Sequence, residues 1–590
     1  MGSSQSRLVL RAVLWEHRRA RGPPPREGVP VTHDFDLLIR GGTVVDGTGA
    51  PARRADVGVR DGRIAEIGDV RGSATRTLDA DGHVVAPGFV DIHTHYDAQV
   101  FWDRMLTISP WHGVTSVVVG NCGFGVAPTR PAHRDTILRT LENVEGMALD
   151  ALRAGLGEEW PFETFPQFLD AIERRGTAIN LGALVGHTPV RLYVMGEEAT
   201  EREATDDEVA AMGRIVADAL AAGALGFATS KSPTHVGWAG RPVPSRAASL
   251  AEIGALADCL AEAGHGLMQA TIARGFFVDE LAAIQRRVRR PITWTALLSG
   301  LFGPDGHRPV LEQTAALRRD GVEVVPQVAC RPLNFEFQWK APFPFESMAL
   351  FKPVSAADHE GKKRLYADAE FRRAFRERGT RGGIADRWRD TVIAECTVEP
   401  ALEERNVAVV AAERGVHPVD LVLDLALATD LQARFRIAVM NNDENAVAEL
   451  LAHPSVVLGL SDAGAHASQL CDAPFATYLL GHWVREKRVL TLEQAINMLT
   501  ARGAALFGLR DRGRLAPGLA ADITIFDPTT VGCSDLRRVR DLPAGADRLV
   551  SEAIGVRAVV VNGVVVREDG HDALDPTGPL PGHVLRGGRS

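Results

Sequence analysis

His83-Val84-Val85-Ala86-Pro87-Gly88-Phe89-Val90-Asp91-Ile92-His93-Thr94-His95 is the stretch of this sequence that decides the fold. It is an apolar, β-branched run that ends in two histidines one residue apart. Residues i and i+2 of an extended strand point to the same face, so both imidazoles can reach one metal ion. The stretch therefore predicts a buried strand with a metal site at its end.

The composition is that of a globular protein. The chain has 590 residues, of which 45% are hydrophobic, so it can bury a large core. The net charge is −9 and there is no basic stripe, which argues against a nucleic-acid partner. No apolar run reaches the ~18 residues of a transmembrane span, so we expect no membrane partner. The 6 cysteines lack a paired spacing, which predicts reduced thiols and a cytoplasmic protein.

Both ends of the chain differ from the rest in amino-acid composition. Residues 1–33 are rich in arginine and contain Pro23-Pro24-Pro25, and their short apolar run is interrupted by Arg11, so they do not form a signal peptide. We interpret 1–33 as a disordered extension, or as residues added by a start codon assigned too early. Residues 575–590 are rich in Gly, Pro and Arg, and we interpret them as a tail outside the fold.

Two β-rich segments flank a long middle region. Residues 34–87 alternate short apolar strands with turns, including Asp61-Gly62 between apolar residues, a strong hairpin signal. Residues 512–574 continue in the same style. We predict one composite β-sandwich built from both segments.

The middle region, 88–511, alternates apolar strands with amphipathic helical stretches, which predicts an α/β fold, a parallel (β/α)8 TIM barrel. The interval 332–429 is longer than one helix and begins with an aromatic run, Phe335 to Phe345, so we interpret it as an insertion near the barrel mouth. The eight predicted strands are Val84–His95, Thr115–Asn121, Ile179–His187, Ala224–Ser230, Gly266–Thr271, Ile292–Leu298, Val322–Val328 and Val456–Ser461.

Strand ends of such a barrel carry the chemistry. His93 and His95 end the first predicted strand, Cys122 follows the second, His187 ends the third and Asp462 follows the eighth. Five side chains that can bind a metal are thus predicted at one rim. Histidine, thiolate and carboxylate together suit zinc.

These residues lie in motifs that resemble the amidohydrolase superfamily, and within it the branch of D-aminoacylase and the N-acyl-D-amino-acid deacylases. The resemblance covers about residues 34 to 570. It is carried by Gly41-Gly42-Thr43-Val44-Val45-Asp46-Gly47-Thr48-Gly49, Pro87 to Asp97, Gly113-Val114-Thr115-Ser116, Gly120-Asn121-Cys122-Gly123, Gly186-His187, Ser461-Asp462 and Gly513 to Ile523.

The resemblance implies roles for particular residues. His93, His95, Asp462 and Cys122 would hold the metal, with the cysteine in place of a bridging carboxylated lysine. Asp462 would act as general base toward the attacking water and then protonate the leaving nitrogen. His187 is the candidate for stabilising the oxyanion or contacting substrate; His112, His235 and His466 are further candidates.

The sequence also departs from the family. Where the family has histidines on strands five and six, this chain has Ile272 and Trp294-Thr295, which are not ordinary zinc ligands. We therefore expect one Zn²⁺ ion instead of two. If Cys122 also binds, four protein ligands leave no tetrahedral vacancy unless the ion becomes five-coordinate, so either the cysteine is loose or catalysis is slow or absent.

The arginine that the family places after strand eight to hold the substrate carboxylate is missing, which leaves the preferred chirality open. Side chains at the rim that could contact substrate instead are Lys231, His235, Arg246, Arg274 and Arg331, with Arg241 as a weaker candidate.

These observations predict an enzyme, a metal-dependent amidohydrolase that cleaves a linear C–N amide bond in a small molecule, an N-acyl amino acid in the first instance. Two alternatives stay open. One is hydrolysis of a cyclic amide or imide, as in hydantoinase-like relatives. The other is a catalytically lapsed barrel that acts as a binding protein.

Overall fold

A computed structural model describes residues 33–237, 240–346, 348–379 and 384–588. The predicted extension 1–33 lies outside the described residues except for His33.

Eight parallel strands form one sheet in which sequence neighbours are also spatial neighbours. Its open ends meet where an isolated parallel bridge joins Thr94 to Ala463, beyond the first and eighth strands. The predicted fold class, a (β/α)8 barrel with a β-sandwich domain, is confirmed. The barrel strands are Phe89–Asp91, Val114–Val119, Asn180–Gly186, Gly226–Ser230, Leu267–Thr271, Ile292–Thr295, Val324–Val328 and Val457–Leu458.

The first predicted strand, Val84–His95, is two strands in the structure. Val84–Pro87 pairs with Ile523–Phe526 in the β-domain, and only Phe89–Asp91 belongs to the barrel. The chain changes sheets at Gly88, where a Cβ atom would lie 2.1 Å from the Thr115 hydroxyl oxygen. An apolar run cannot reveal such a change, because both halves are fully buried.

Helices follow the barrel strands and cover the outside of the sheet. Thr205 and Ser249 cap two of them by accepting backbone hydrogen bonds at the helix start. Within the described ranges, no helix is both long and apolar enough to cross a membrane. The helices outside the insertion are Arg134–Glu145, Leu149–Leu156, Phe165–Arg175, His187–Met195, Asp206–Ala222, Leu250–Ala263, Val278–Val288, His307–Arg319, Glu444–Ala452, Phe475–Tyr478, Leu479–Glu486, Leu492–Asn497, Met498–Arg502 and Gly503–Leu506.

Strands from both ends of the chain form a second sheet beside the barrel. Val84–Pro87 joins its two halves, since it pairs with Phe35–Val44 on one side and Ile523–Phe526 on the other. The other strands of this sheet are Arg53–Arg60, Arg63–Gly68, Ala74–Asp79, Val556–Val561, Val564–Glu568 and His571–Asp572. Two short antiparallel strand pairs extend from this domain. Gly532–Cys533 pairs with Ala553–Ile554, and the hairpin formed by Arg537–Val539 and Arg548–Val550 lies between them in sequence.

The insertion has its own four-stranded sheet and its own core, which includes Trp339 and Phe345. The sheet extends to Met440, beyond the predicted limit at residue 429, because its central strand is Arg434–Met440. The elements are Leu333–Gln338, Thr391–Glu395, Arg405–Asn406 and Arg434–Met440, with helices Lys352–Ala356, His359–Ala367, Ala369–Gly379, Val407–Arg414 and Pro418–Ala428.

The segment 575–590, interpreted from sequence as a tail, takes part in the fold. Val584–Leu585 pairs in parallel with the third barrel strand, at Leu181 and Gly182. Leu585 is buried in the cluster of apolar side chains that includes Val90 and Val118. The prediction of a tail is wrong here, because two residues are too few to give a recognisable strand pattern.

We expect Leu585→Ala to destabilise the protein by about 2 to 5 kcal/mol, since it removes a buried side chain and leaves a cavity. Thermal unfolding followed by circular dichroism measures the effect. His571→Ala, at an exposed position in the same part of the chain, is the control. A Leu585→Ala melting curve identical to that of the wild type would show that the C-terminal strand is not docked.

Candidate metal centre and active site

Three side chains converge at the C-terminal rim of the barrel. The ligand atoms of His93, His95 and Cys122 all lie within 4.8 Å of one another, and all three residues are buried. The Cys122 Sγ atom is 3.4 Å from His93 Nε2. The sequence placed these residues at one rim, and the structure brings them together.

Asp462 completes the cluster. Its Oδ1 atom is 3.3 Å from His93 Nε2 and 3.8 Å from His95 Nε2. The barrel closure places it there, because the Asp462 backbone N–H donates to the His93 carbonyl and the His95 N–H donates to Ala463. Burial raises the pKa of the Asp462 carboxyl to about 7, while its side chain keeps 26% exposure. The carboxylate thus faces both the histidines and open space.

The histidines are in the form that binds a metal. Burial lowers the pKa of His93 to about 4, and burial together with the neighbouring His93 lowers that of His95 well below its ordinary value. Both rings are therefore neutral at pH 7. His93 Nδ1 lies 2.7 Å from Gln327 Oε1 at the end of the seventh strand, which leaves Nε2 free to bind.

A tight turn presents Cys122. Gly120 has a φ of +82°, and a Cβ atom there would lie 2.1 Å from the Leu184 carbonyl oxygen, so glycine is required. The Cys122 N–H donates to Gln269 Oε1 at 2.8 Å. Burial, with the Glu145 and Asp462 carboxylates nearby, raises the pKa of the thiol well above its usual value. A bound cation would reverse this effect.

Glu145 is a member of the site that sequence analysis missed. Its Oε1 atom is 3.6 Å from His95 Nδ1, and its side chain is only 5% exposed. It ends the helix Arg134–Glu145, between the second and third strands. A search confined to strand ends could not find it. Burial, with the Asp462 and Asp97 carboxylates nearby, raises the pKa of Glu145 well above its usual value. A bound cation would favour the ionised form, and a carboxylate beside the far nitrogen of a ligating histidine orients the ring and raises its basicity.

Hydroxyl groups lie on the side of the site formed by the ends of the fifth and sixth strands. Thr271 ends the fifth barrel strand and Thr295 the sixth, and the Thr295 hydroxyl donates to Thr271 at 3.2 Å. Both hydroxyls lie near the Cys122 thiol and act against the rise in its pKa. Trp294 is fully buried and packs edge-on against Phe277.

The structure places His187, the candidate for stabilising the oxyanion or contacting substrate, in a buried hydrogen-bond network. Its Nδ1 lies 2.8 Å from the Thr229 hydroxyl and its Nε2 lies 2.9 Å from Glu252, which also pairs with buried Arg191. Both ring nitrogens are occupied within this network, so His187 supports the fold. His112 is likewise held between Thr477 and Ser551.

Three of the positively charged side chains that were predicted to contact substrate bind other groups of the protein instead. Lys231 donates to the Arg246 and Ala248 carbonyls at 2.6 and 2.7 Å. Arg331 is paired with Asp472 at 2.8 Å, and Arg241 lies 3.4 Å from Glu197. These side chains satisfy protein groups, so the structure does not support substrate contact by them.

His235, Arg246 and Arg274 keep free binding capacity. His235 Nδ1 lies 2.7 Å from the Ser230 hydroxyl, and its Nε2 has no partner among the described residues. Arg246 uses one nitrogen on the His235 carbonyl, and Arg274 is exposed after the fifth strand. His466 also faces the site, and within the described ranges its Nδ1 atom is buried without a hydrogen bond.

A barrel with this cluster at its rim has the architecture of a metal-dependent hydrolase. Residues 76–567 match the model of the Amidohydrolase family, and the chain belongs to this family.

Three similar proteins illustrate the relationship. The D-aminoacylase of Alcaligenes xylosoxydans xylosoxydans is 32% identical over 540 residues, 91% of this chain and 95% of the relative. The crystal structure of N-acyl-D-glutamate deacylase from Bordetella bronchiseptica, complexed with zinc and a phosphonate inhibitor, has a TM-score of 0.64 at 30% identity. The match covers 94% of this chain and 99% of the deacylase chain. A structure of D-aminoacylase, from work on its binuclear metal centre that describes one-metal activation and second-metal attenuation, has a TM-score of 0.63 at 29% identity. The match covers 94% of this chain and 100% of that one.

We expect Glu145→Gln to raise the Kd for zinc about tenfold to a hundredfold, because it removes the negative charge that lies 3.6 Å from His95 Nδ1 when the site holds a cation. Competition between the metal-free protein and a chromophoric chelator measures this Kd. Asp150→Asn, an exposed carboxylate in the next helix, is the control. An unchanged zinc Kd in Glu145→Gln, with an unchanged melting temperature, would rule out this role.

Proposed function

We propose that the protein hydrolyses the amide bond of N-acyl amino acids with one zinc ion held by His93, His95, Asp462 and, more loosely, Cys122, or by all four in a five-coordinate site that keeps a position for water. The observation that carries the proposal is the convergence of two neutral imidazoles, a thiol and a carboxylate on one point of the rim. The family membership and the activities named for the relatives support the choice of reaction.

The residues present fit one zinc ion. Nitrogen, sulfur and oxygen ligands are the donors that zinc takes in proteins. Gln327 and Glu145 lie against the outer nitrogens of the two histidines. Ile272 and Trp294-Thr295 stand where the family has the histidines that would bind a second ion. The relative described by one-metal activation supports an active single-ion arrangement.

The remaining chemistry belongs to side chains of this chain. When bound, zinc supplies a Lewis acid that polarises the amide carbonyl and lowers the pKa of the attacking water. Asp462, beside both histidines and partly open, takes the proton from that water and passes it to the leaving nitrogen. We assign to His235 Nε2 a hydrogen bond to the carbonyl oxygen as negative charge develops there. Arg246, next to His235, is the candidate for holding the substrate carboxylate.

The two alternatives from the sequence give different outcomes in the same assay. A panel of N-acyl-D- and N-acyl-L-amino acids, hydantoins and lactones, tested with zinc supplied, separates them. Preferential turnover of hydantoins would favour the cyclic-amide enzyme. Uniform inactivity would favour a binding protein.

Asp462→Asn is expected to lower kcat/KM for N-acyl amino acids about a thousandfold or more, because it removes the group that accepts and returns the proton. Zinc content and circular dichroism are measured on the same sample, so that loss of metal or fold is detected. Asp320→Asn, an exposed carboxylate at the opposite end of the barrel, is the control. Full activity in Asp462→Asn would eliminate the proposed proton transfer.

One zinc ion per chain is expected to restore full activity to protein stripped of metal by a chelator. Titration of the stripped protein with zinc, followed by activity and by elemental analysis, gives the stoichiometry. Two tightly held ions at full activity would contradict the single-ion site, and would mean that groups other than histidines on strands five and six bind metal.

A further inference from the structure

Two adjoining cavities extend from Asp462 away from the metal ligands. The smaller, of 30 Å³, is lined by Asp462, Tyr96 and Arg548. The larger, of 240 Å³, shares Gln99, Gly464 and Ala467 with it. The larger cavity lies where the loops after barrel strands one, two and eight meet the hairpin Arg537–Val539 and Arg548–Val550.

The wall of the larger cavity is mainly apolar. Trp102, Met147, Leu152 and Leu542 line it. Such a wall suits a hydrocarbon chain, which gains free energy when it leaves water. The indole Nε1 of Trp102 is buried and has no acceptor among the described residues, so the wall also offers an unused hydrogen-bond donor.

The charged residues that line this cavity are acidic. No lysine, arginine or histidine is among the lining residues that the structure describes, whereas Glu142 and Asp547 are. Asp547 is neutralised by Arg538 at 2.6 Å. Glu142 makes no ion pair with any described residue, and the nearby Arg153 is bonded to Asp135.

The smaller cavity does not supply a free cation either. Arg548 forms two hydrogen bonds of 2.8 Å to Asp541 and a third to the Thr107 carbonyl. All of its nitrogens are therefore engaged. An acidic side chain that entered these cavities would meet the Glu142 carboxylate and no unpaired cation among the described lining residues.

The proposed reaction determines which part of the substrate lies here. Asp462 protonates the leaving nitrogen, so the released amino acid must lie on the Asp462 side of the scissile bond. Its side chain can then extend past Gly464 into the larger cavity. This step rests on the proposed function.

We infer that the cavity beside Asp462 selects N-acyl amino acids whose side chain is a hydrocarbon stem ending in a positive charge. Trp102, Met147 and Leu152 contact the stem, and Glu142 pairs with the cation. The long side chains of lysine and arginine have this chemistry. The inference separates this chain from relatives named for acidic substrates such as N-acyl-D-glutamate.

The test compares three substrates, each as both enantiomers. They are Nα-acetyl-lysine, N-acetyl-norleucine, which has the same stem without the side-chain amine, and N-acetyl-glutamate. In the zinc-loaded wild type, kcat/KM for the lysine substrate is expected to exceed that for norleucine about tenfold, and glutamate is expected to be the poorest of the three. Glu142→Gln is expected to bring the lysine-to-norleucine ratio close to one. Asp150→Asn, which lines neither cavity, is expected to keep the wild-type ratio.

Each result bears on the inference in a distinct way. A lysine-to-norleucine ratio that Glu142→Gln leaves unchanged overturns the role of Glu142, and preferred turnover of N-acetyl-glutamate overturns the selectivity. If Glu142→Gln does not fold, the order of the three substrates in the wild type still decides the selectivity. Hydrolysis of none of the N-acyl amino acids overturns the proposed function, and the inference with it.

Discussion

The closure of the barrel between its first and eighth strands is the constraint on which the site depends. The Ser461 hydroxyl donates to the His93 carbonyl across 368 positions of sequence, and the Thr94 to Ala463 bridge continues the contact. Backbone hydrogen bonds of fixed length set this distance, so the carboxylate of Asp462 can meet the two imidazoles only when the sheet is closed. Metal binding and folding are therefore coupled, because the unfolded chain contains no such cluster.

Around this closure, structural elements of different kinds hold the residues of the site. Strand ends hold His93, Gln327 and the threonines that face Cys122. A glycine turn holds Cys122 itself, and a helix end holds Glu145. The loops beyond form the cavity beside Asp462, with a hairpin from the β-domain as one wall. The chemistry is thus carried by the sheet, and selection among substrates is left to loops that can vary without disturbing it.

The side of the site formed by strands five and six carries neutral side chains. Ile272 and Trp294-Thr295 stand where the family has histidines. Hydroxyls of Thr271 and Thr295 turn toward the thiol instead, and the bulky indole of Trp294 packs against Phe277. The chain retains the ligands on strands one and eight, the pair that the barrel closure positions.

The sequence by itself determined the barrel, the composite β-domain and the metal-ligand candidates His93, His95, Cys122 and Asp462. Alternating strands and helices and residues at strand ends are local patterns, and local patterns can be read from one chain. Only the tertiary structure decided that His187, Lys231 and Arg331 are held by Glu252, backbone carbonyls and Asp472, that Glu145 reaches His95, and that Leu585 joins the sheet. Those outcomes depend on partners far away in the chain, and the type of a side chain does not state which partner will satisfy it.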